Sequence, residues 1–433
     1  MPNLPVRGLI CAALTFSVLS ACAETPNQPI ARNQTASETE GAARASTDPL
    51  TRVTPVLPSF SEWRQQLRGE ALASGISASL FDRAFTGIIL DPRVIAADSS
   101  QPEFSRPVWA YLDSAVSANR VASGQAARLQ QQTSLAAIEQ RYAVPAETLV
   151  AIWGMESNYG NNIGDYQVIR SLATLAYEGR RQAFWRAQLL AALQILEQGD
   201  VSPENLRGSW AGAMGQTQFM PTTYQEHAVD FDGDGKRDLW QSAADSLASA
   251  AHYLQASGWR PGLPWGFEVQ LNEGFDYALA DPAKRLTLAE WRALGVQPVT
   301  ALNRPALDGE SATLLLPAGH RGPAFLVLKN FRAILRYNNS TAYALAIGVL
   351  SDRLRGKPGI QADWPRDDRQ LGRSERVELQ QLLARNGFEP GAADGIIGAN
   401  TRQAVRAYQQ TLGLPADGYP DPKLLETLRS NRR

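Results

Sequence analysis

The segment LVAIWGMESNYG, residues 149–160, predicts an apolar helix that ends in a polar turn. Leu149, Ile152, Trp153 and Glu156 are spaced at i, i+3, i+4 and i+7, so a helix places them on one face. That face is apolar except for Glu156, whose carboxyl group would lose hydration there. Lost hydration raises the pKa of a carboxyl group and suits it to donate a proton near neutral pH. The pattern leaves a second interpretation open, in which Glu156 lies past the core at a solvated helix end.

The patterns around this segment predict a mainly α (α+β) fold. Long stretches rich in Ala, Leu and Gln repeat their apolar residues at helical spacing, and they occupy 108–135, 180–197, 246–256 and 342–354. Short apolar runs separated by Gly and Pro occupy 267–271, 312–316 and 324–328. Such runs are typical of strands. We therefore expect one helical catalytic body over 59–357, with a small β-sheet inserted into it.

The N-terminal residues predict a lipid-anchored, exported protein. An apolar stretch at 9–21 follows Arg7 and ends in the tetrapeptide LSAC, residues 19–22. This resembles a bacterial lipobox, which implies a lipoprotein signal peptide over 1–21, lipidation of Cys22 and a flexible tether over 22–58. Because Ala23 follows the cysteine, the resemblance implies the periplasmic face of the outer membrane. An ordinary signal peptide, cut at an Ala-x-Ala-like site at 21–23, is the alternative.

Composition excludes several classes of function. The chain has 433 residues, a formal net charge of -1 and only three His residues, without an HExxH motif. These values argue against nucleic acid as a partner and against a histidine-based zinc site. Cys11 would leave with the signal peptide, so no disulfide is expected. We expect a monomer that needs no cofactor for catalysis.

Three motifs resemble those of one enzyme family. WGMESNYG at 153–160 is similar to the Glu-Ser/Thr-x-x-Gly motif of lytic transglycosylases and goose-type lysozymes. SWAGAMGQTQFMP at 209–221 and RYNNSTAY at 336–343 resemble the second and third motifs of the lytic murein transglycosylase B family. The three occur in family order and implicate Glu156 as the catalytic residue. The resemblance implies a lysozyme-like catalytic domain.

The resemblance also implies a reaction. Members cut the β-1,4 bond between N-acetylmuramic acid and N-acetylglucosamine in peptidoglycan glycan strands without water, and leave 1,6-anhydro ends. One Glu acts first as acid and then as base, with help from the substrate's acetamido group, so no second carboxylate is needed. The residues that match substrate-binding positions of the family are Ser209, Gln218, Tyr253, Tyr337, Asn338, Tyr343, Arg180, Arg181 and Tyr111. A hydrolytic muramidase of the same fold and a non-catalytic wall-binding scaffold are the alternatives.

The segment DFDGDGKRD, residues 230–238, resembles the start of an EF-hand loop. Asp230, Asp232 and Asp234 occupy positions 1, 3 and 5, and Lys236 offers its carbonyl at position 7. Gln241 stands where a bidentate Glu is expected, and the transglycosylase resemblance implies that Asp245 closes the loop instead. These five residues are the expected ligands of a structural Ca²⁺. An acidic turn without a metal is the alternative.

The C-terminal residues predict a separate small module. Residues 358–370 are expected to be a linker, and 371–431 a compact helical unit. DGIIGANTRQAV at 394–405 resembles the peptidoglycan-binding domain found on many wall enzymes. Such a module would hold the enzyme on its polymer. A helical cap without a ligand is the alternative.

Overall fold

The computed structural model describes residues 58–99, 106–300 and 305–431. The signal peptide, Cys22 and the tether lie outside these residues. The described part contains the α-helices α1 (Phe60–Ala73), α2 (Ala78–Ala84), α3 (Pro92–Ser99), α4 (Val108–Ala115), α5 (Ala118–Gln130), α6 (Gln132–Tyr142), α7 (Ala146–Ser157), α8 (Val168–Glu178), α9 (Gln182–Gln198), α10 (Pro221–His227), α11 (Ala243–Ala256), α12 (Leu288–Ala293), α13 (Lys329–Tyr337), α14 (Thr341–Leu354), α15 (Arg373–Arg385), α16 (Ala399–Thr411) and α17 (Pro422–Ser430). The prediction of a mainly helical fold is confirmed.

The strands are short. They are β1 (Tyr166–Gln167), β2 (Arg207–Gly208), β3 (Gly266–Leu271), β4 (Leu286–Thr287), β5 (Val296–Pro298), β6 (Ser311–Leu315), β7 (Pro317–His320) and β8 (Ala324–Val327). Five of them form an antiparallel sheet in the order β4-β6-β8-β3-β5. Each of the three apolar runs proposed as strands lies in this sheet. It packs its own apolar core around Trp291, whose indole N–H donates to the Ala312 carbonyl at 3.0 Å.

The helical body has two apolar cores. One core lies among α1, α2, α8 and α9, and α1 begins with a capping box in which Ser59 and Glu62 satisfy each other's backbone N–H groups. The other core surrounds α7, which packs against α14, α5, α11 and α6. The predicted helical stretch at 108–135 is broken into three helices, because Ser117 caps α5 and a further break follows at Gln131.

The C-terminal module packs α15, α16 and α17 around a third helical core. Two Asp-Gly turns in it are built alike: the Gln380 side chain accepts from the Gly395 N–H at 2.8 Å, and Gln409 accepts from the Gly418 N–H at 2.9 Å. The second turn also contacts β7, since the buried Asp417 carboxylate accepts from the His320 backbone N–H at 2.8 Å. This contact joins the module to the catalytic body.

The predicted linker follows the surface of the body. Trp364 lies beside Trp109, with ring centroids 6.2 Å apart, and Arg366 pairs with Asp113 at 2.7 Å. Among the helices of the described ranges, none combines the length and the apolar character needed to cross a bilayer.

Candidate active site

Helix α7 runs through the middle of the body, and Glu156 lies near its C-terminal end. Pro145 precedes its first turn, and every residue from Thr148 to Met155 is buried. The sequence pattern predicts an apolar helix, and α7 is buried all round because helices pack against it on several sides. Glu156 itself is half-buried at the last turn.

The backbone after Glu156 is in a conformation that side chains rarely adopt. Asn158, Tyr159 and Gly160 have successive φ values of 51°, 59° and 80°. Left-handed backbone costs about 1 kcal/mol or more at a non-glycine residue, and such costs concentrate at functional sites. The Ser157 hydroxyl accepts from the Gly160 N–H at 3.0 Å and helps to hold the turn.

Tyr159 fixes this turn against the helix. Its ring lies on Gly154, where an added Cβ would stand 2.6 Å from the ring carbons, so only glycine fits. The Tyr159 hydroxyl donates to the Arg120 carbonyl at 2.7 Å, and the Arg120 guanidinium donates back to the Gly154 carbonyl. Trp153 adds an edge-on ring contact with Tyr159 and donates to Gln216 Oε1 at 2.9 Å. These contacts position the end of α7, and with it Glu156.

The Glu156 carboxyl group has one hydrogen-bond donor in the described chain. The Tyr343 hydroxyl donates to Glu156 Oε1 at 2.5 Å. Burial raises the pKa of Glu156 to about 7, and the Tyr343 hydrogen bond opposes that rise. Ser340 caps α14 and accepts from the Tyr343 N–H, which sets the tyrosine in the first turn of that helix.

Further tyrosines surround the carboxyl group. Burial, with Glu156 nearby, raises the pKa of Tyr111 to about 12 and raises the pKa of Tyr337 well above its ordinary value. The Tyr337 hydroxyl donates to the Thr217 carbonyl at 2.7 Å. Tyr253 lies edge-on to Tyr337, with ring centroids 5.0 Å apart, and donates to the Arg336 carbonyl at 2.6 Å. These phenols stay protonated and are able to act as hydrogen-bonding and apolar surfaces.

The second motif forms a turn beneath these rings. Ser209 Oγ accepts from the Ala213 N–H at 3.0 Å. Gln218 has a φ of 50° and donates to the Ile163 and Gly215 carbonyls at 3.0 and 2.8 Å. Both side chains are half-buried. Met214 and Phe219, which also belong to this motif, are both buried.

The remaining predicted residues lie around this centre. Asn338 follows the last residue of α13 and is half-buried. Arg180 pairs with Asp98 at 3.2 Å, and the Arg181 guanidinium lies 4.3 Å from the Phe184 ring centroid. Both arginines are exposed. Their contact with substrate stays a prediction.

Sequence reasoning missed Arg120, Tyr159, Gln216 and Thr217. Arg120 is 34 residues from its Gly154 partner, and Trp153 is 63 residues from Gln216. Only tertiary packing brings such pairs together. Tyr159 and Gln216 lie inside the quoted motifs, and their buried hydrogen bonds give a physical reason for those residue types.

The acidic loop brings three of its five predicted ligands together. One carboxylate oxygen each from Asp230, Asp232 and Asp245 lies within 4.8 Å of the others. Asp245 is fully buried and accepts from the backbone N–H groups of Phe231 and Asp238, both at 2.9 Å. Burial raises the pKa of Asp245. Hard oxygen donors around a withdrawn carboxylate fit a Ca²⁺ ion.

The other two predicted ligands lie on the exposed side of the loop. Asp234 is exposed and accepts from the Lys236 N–H at 2.8 Å. Their part in metal binding stays a prediction.

Comparison with known proteins identifies the family to which this chain belongs. The family model of the transglycosylase SLT domain matches residues 59–352. The chain belongs to the transglycosylase SLT family. A model of a peptidoglycan binding domain matches residues 372–428, in agreement with the predicted module.

Proteins of known structure are similar over most of the chain. SltB3 from Pseudomonas aeruginosa, solved in complex with NAG-anhNAM-pentapeptide, is 61% identical with a TM-score of 0.84, and the alignment covers 86% of this chain and 99% of SltB3. An Escherichia coli lytic transglycosylase solved in complex with calcium is 28% identical with a TM-score of 0.60, covering 72% of this chain and 98% of that chain. The predicted family and lysozyme-like fold class are confirmed.

A curated relative is the membrane-bound lytic murein transglycosylase B of Escherichia coli. It is 34% identical over an alignment of 226 residues, and the alignment covers 49% of this chain. The similar region spans 57% of the relative's length.

Proposed function

We propose that this protein is a lytic transglycosylase that cleaves the β-1,4 MurNAc-GlcNAc bond of peptidoglycan glycan strands and leaves 1,6-anhydroMurNAc ends. The observation that carries the proposal is the half-buried Glu156, whose pKa is raised to about 7 and whose one donor among the described residues is Tyr343. A carboxyl group with this pKa is protonated for a large share of the time at neutral pH and is also readily ionised. It is therefore suited to act as acid and then as base.

The proposed first step breaks the glycosidic bond. Protonated Glu156 gives its proton to the glycosidic oxygen, and the bond from that oxygen to C1 of the muramic acid breaks. The acetamido carbonyl oxygen of the same sugar bonds to C1 and forms an oxazolinium ion. Tyr343 stabilises the Glu156 carboxylate that results, because its hydroxyl donates to Oε1.

The proposed second step closes the anhydro ring. The Glu156 carboxylate removes the proton of the C6 hydroxyl, O6 bonds to C1, and the bond from the acetamido oxygen to C1 breaks. Glu156 is protonated again, so the cycle consumes no water. The half-buried setting of Glu156 favours this internal hydroxyl over bulk water as the nucleophile.

The residues around Glu156 supply the proposed sugar contacts. The aromatic surfaces of Tyr111, Tyr253 and Tyr337 suit the C–H faces of sugar rings. Ser209, Gln218 and Asn338 suit hydroxyl and acetamido groups. Arg180 and Arg181 are proposed to meet acidic groups of the substrate, for which Arg180 would have to exchange its contact with Asp98.

The C-terminal module and the N-terminal lipid would hold the enzyme at the wall. SltB3 was also solved with NAG-NAM-pentapeptide, which supports a glycan substrate that carries stem peptides. The module at 372–428 is proposed to bind the polymer and so raise the local concentration of substrate. A lipid on Cys22 is proposed to anchor the chain at the periplasmic face of the outer membrane as a monomer.

The acidic loop that precedes α11, together with Asp245 in the first turn of that helix, is proposed to bind one structural Ca²⁺. Asp230, Asp232 and Asp245 would supply carboxylate oxygens, with Asp234 and the Lys236 carbonyl completing the set. The solved relative in complex with calcium supports this proposal. The ion would stabilise the fold beside the second motif and would take no part in bond cleavage.

Product analysis tests the proposed reaction. Sacculi digested in ¹⁸O-labelled water should yield muropeptides with anhydro ends and no added label, as read by mass spectrometry. Labelled reducing ends as the main product would identify a hydrolytic muramidase. Binding to sacculi without any released muropeptide would identify a wall-binding scaffold.

A further inference from the structure

One face of α13 carries three cationic side chains and leads to the active site. Lys329, Arg332 and Arg336 are spaced at i, i+3 and i+7, so they share a face. The opposite face is buried through Asn330, Phe331, Ala333 and Ile334. Lys329 and Arg336 are exposed, and Arg332 is half-buried.

Arg332 is set among groups that do not neutralise it. Burial and the nearby Arg285 both lower the pKa of Arg332. Within residues 58–99, 106–300 and 305–431, no carboxylate oxygen lies within the 4.0 Å ion-pair distance of Arg285 or Arg332. A partly desolvated cation beside a like charge is unfavourable unless an anion joins it. We call Arg285, Lys329, Arg332 and Arg336 the α13 basic strip.

The basic strip is connected to the residues proposed to bind sugar. The Arg336 carbonyl accepts from Tyr253, and Tyr337 is the next residue along the helix. Helical rise places Arg332 about 7 to 8 Å along the axis from Tyr337. An extended peptide spans about 3.3 to 3.6 Å per residue, so about two or three residues of a peptide bridge that distance.

The other arginines expected near the substrate are already occupied. Arg180 is paired with Asp98, and Arg181 lies on the Phe184 ring. The basic strip therefore offers four cations that have no carboxylate partner within the described ranges. A peptide that leaves a muramic acid bound at Tyr337 and runs along α13 would place its carboxylates among them.

We propose that the α13 basic strip binds the carboxylates of the stem peptide attached to the muramic acid at the cleavage site. The inference rests on the proposed transglycosylase function and deepens it, because it makes the enzyme select glycan that carries acidic peptides. Guanidinium groups suit this role, since they bind carboxylates in a planar, two-point geometry.

The test compares two substrates for one enzyme. The ratio of kcat/KM on peptide-bearing strands to kcat/KM on strands stripped of peptide is measured for the unchanged protein and for Arg332→Gln. We expect that ratio to fall about tenfold in Arg332→Gln, mainly through KM. Arg332→Lys keeps the charge but not the two-point geometry, so its ratio should lie between those of the unchanged protein and Arg332→Gln, which separates electrostatic binding from misfolding. Arg83→Gln, at an exposed arginine of α2, is the matched control and should leave the ratio unchanged.

A second arm needs no variant. Strands whose stem-peptide carboxylates are amidated should be cleaved by the unchanged protein with the lowered kcat/KM that Arg332→Gln shows on acidic strands. Equal ratios for the unchanged protein and Arg332→Gln, or equal rates on acidic and amidated strands, would overturn the inference. If the unchanged protein releases no anhydro product from any strand, the proposed function fails instead.

Discussion

Two carboxyl groups of this chain, those of Glu156 and Asp245, are withdrawn from water in opposite ways. Burial raises the pKa of both. Asp245 is fully buried, and backbone N–H groups of its own loop donate to both of its oxygens. Glu156 is half-buried and receives one hydroxyl. Asp245 is therefore fixed in place by its own loop, whereas the proposed role of Glu156 requires a carboxyl group that is able to lose and regain a proton.

The difference shows that burial alone does not decide how a carboxyl group is held. A carboxylate that accepts several backbone N–H groups helps to organise the chain around it. A carboxyl group with one adjustable donor, at the end of a helix that is positioned from outside by Arg120 and Tyr159, keeps its proton available. Substitution of Glu156 should therefore affect mainly turnover, and substitution of Asp245 should affect mainly stability.

The largest expected effect is on turnover. Glu156→Gln removes the proton donor and acceptor but keeps the size of the side chain, so kcat on sacculi should fall about a thousandfold or more. Binding to sacculi and the melting temperature at about pH 5 should be retained. A variant that releases muropeptides as fast as the parent would exclude Glu156 as the catalyst.

The next effect is on stability. Asp245→Asn puts an amide NH₂ where an oxygen accepts from a backbone N–H, which should lower the free energy of unfolding by about 2 kcal/mol. Added calcium should raise the melting temperature of the parent and not of this variant. Asp234→Asn is the matched control, because Asp234 is exposed and should change the calcium-free protein little. An unchanged melting curve of the parent with calcium or chelator would contradict the metal site.

A smaller effect is expected on the pKa of Glu156 and on the pH profile of activity. Tyr343→Phe removes the hydrogen bond that lowers the pKa of Glu156, so that pKa should rise. The fall of activity at alkaline pH should then begin at a higher pH, and kcat should drop about tenfold because the ionised form loses its donor. Tyr224→Phe, at a buried tyrosine that donates to the Arg237 carbonyl, should leave the pH profile unchanged. An unshifted profile in Tyr343→Phe would contradict the role of this contact.

The smallest expected effect is a pH dependence of stability. The folded-state pKa of Glu156 lies above its ordinary value, so its contribution to stability is full below about pH 4.5 and is lost as pH rises through about 7. Glu156→Gln removes that loss, and it should gain about 1 kcal/mol over the parent between about pH 5 and pH 8, after allowance for partial exposure. Chemical denaturation at both pH values measures the gain. Equal stability differences at the two pH values would contradict the raised pKa.

The sequence predicts the residues around Glu156 better than it predicts the burial of Asp245. Glu156, Tyr337 and Tyr343 lie in motifs whose resemblance is strong, and the inserted strands follow from their short apolar runs. The sequence also predicts that α7 is apolar, and its burial on all sides comes from the helices that pack around it. Local spacing shows which residues share a face and gives no information on how many partners surround a helix.

Contacts between distant residues could not be predicted. Arg180 matches a substrate-binding position, yet it pairs with Asp98, which is 82 residues away. Tertiary packing also brings the Arg120 guanidinium to the Gly154 carbonyl near the end of α7. It likewise buries Asp245 beneath its own loop. The lone cations of α13 become visible only when the ion pairs of their neighbours are known.

The pH dependence of kcat/KM on peptidoglycan strands tests most directly whether one carboxyl group does both proton transfers. We expect activity to fall through a single ionisation near pH 7 as the pH rises, because the free enzyme must hold Glu156 protonated to begin cleavage. Activity that stays constant from about pH 6 to about pH 9 would contradict it, since the ionised Glu156 cannot protonate the leaving oxygen.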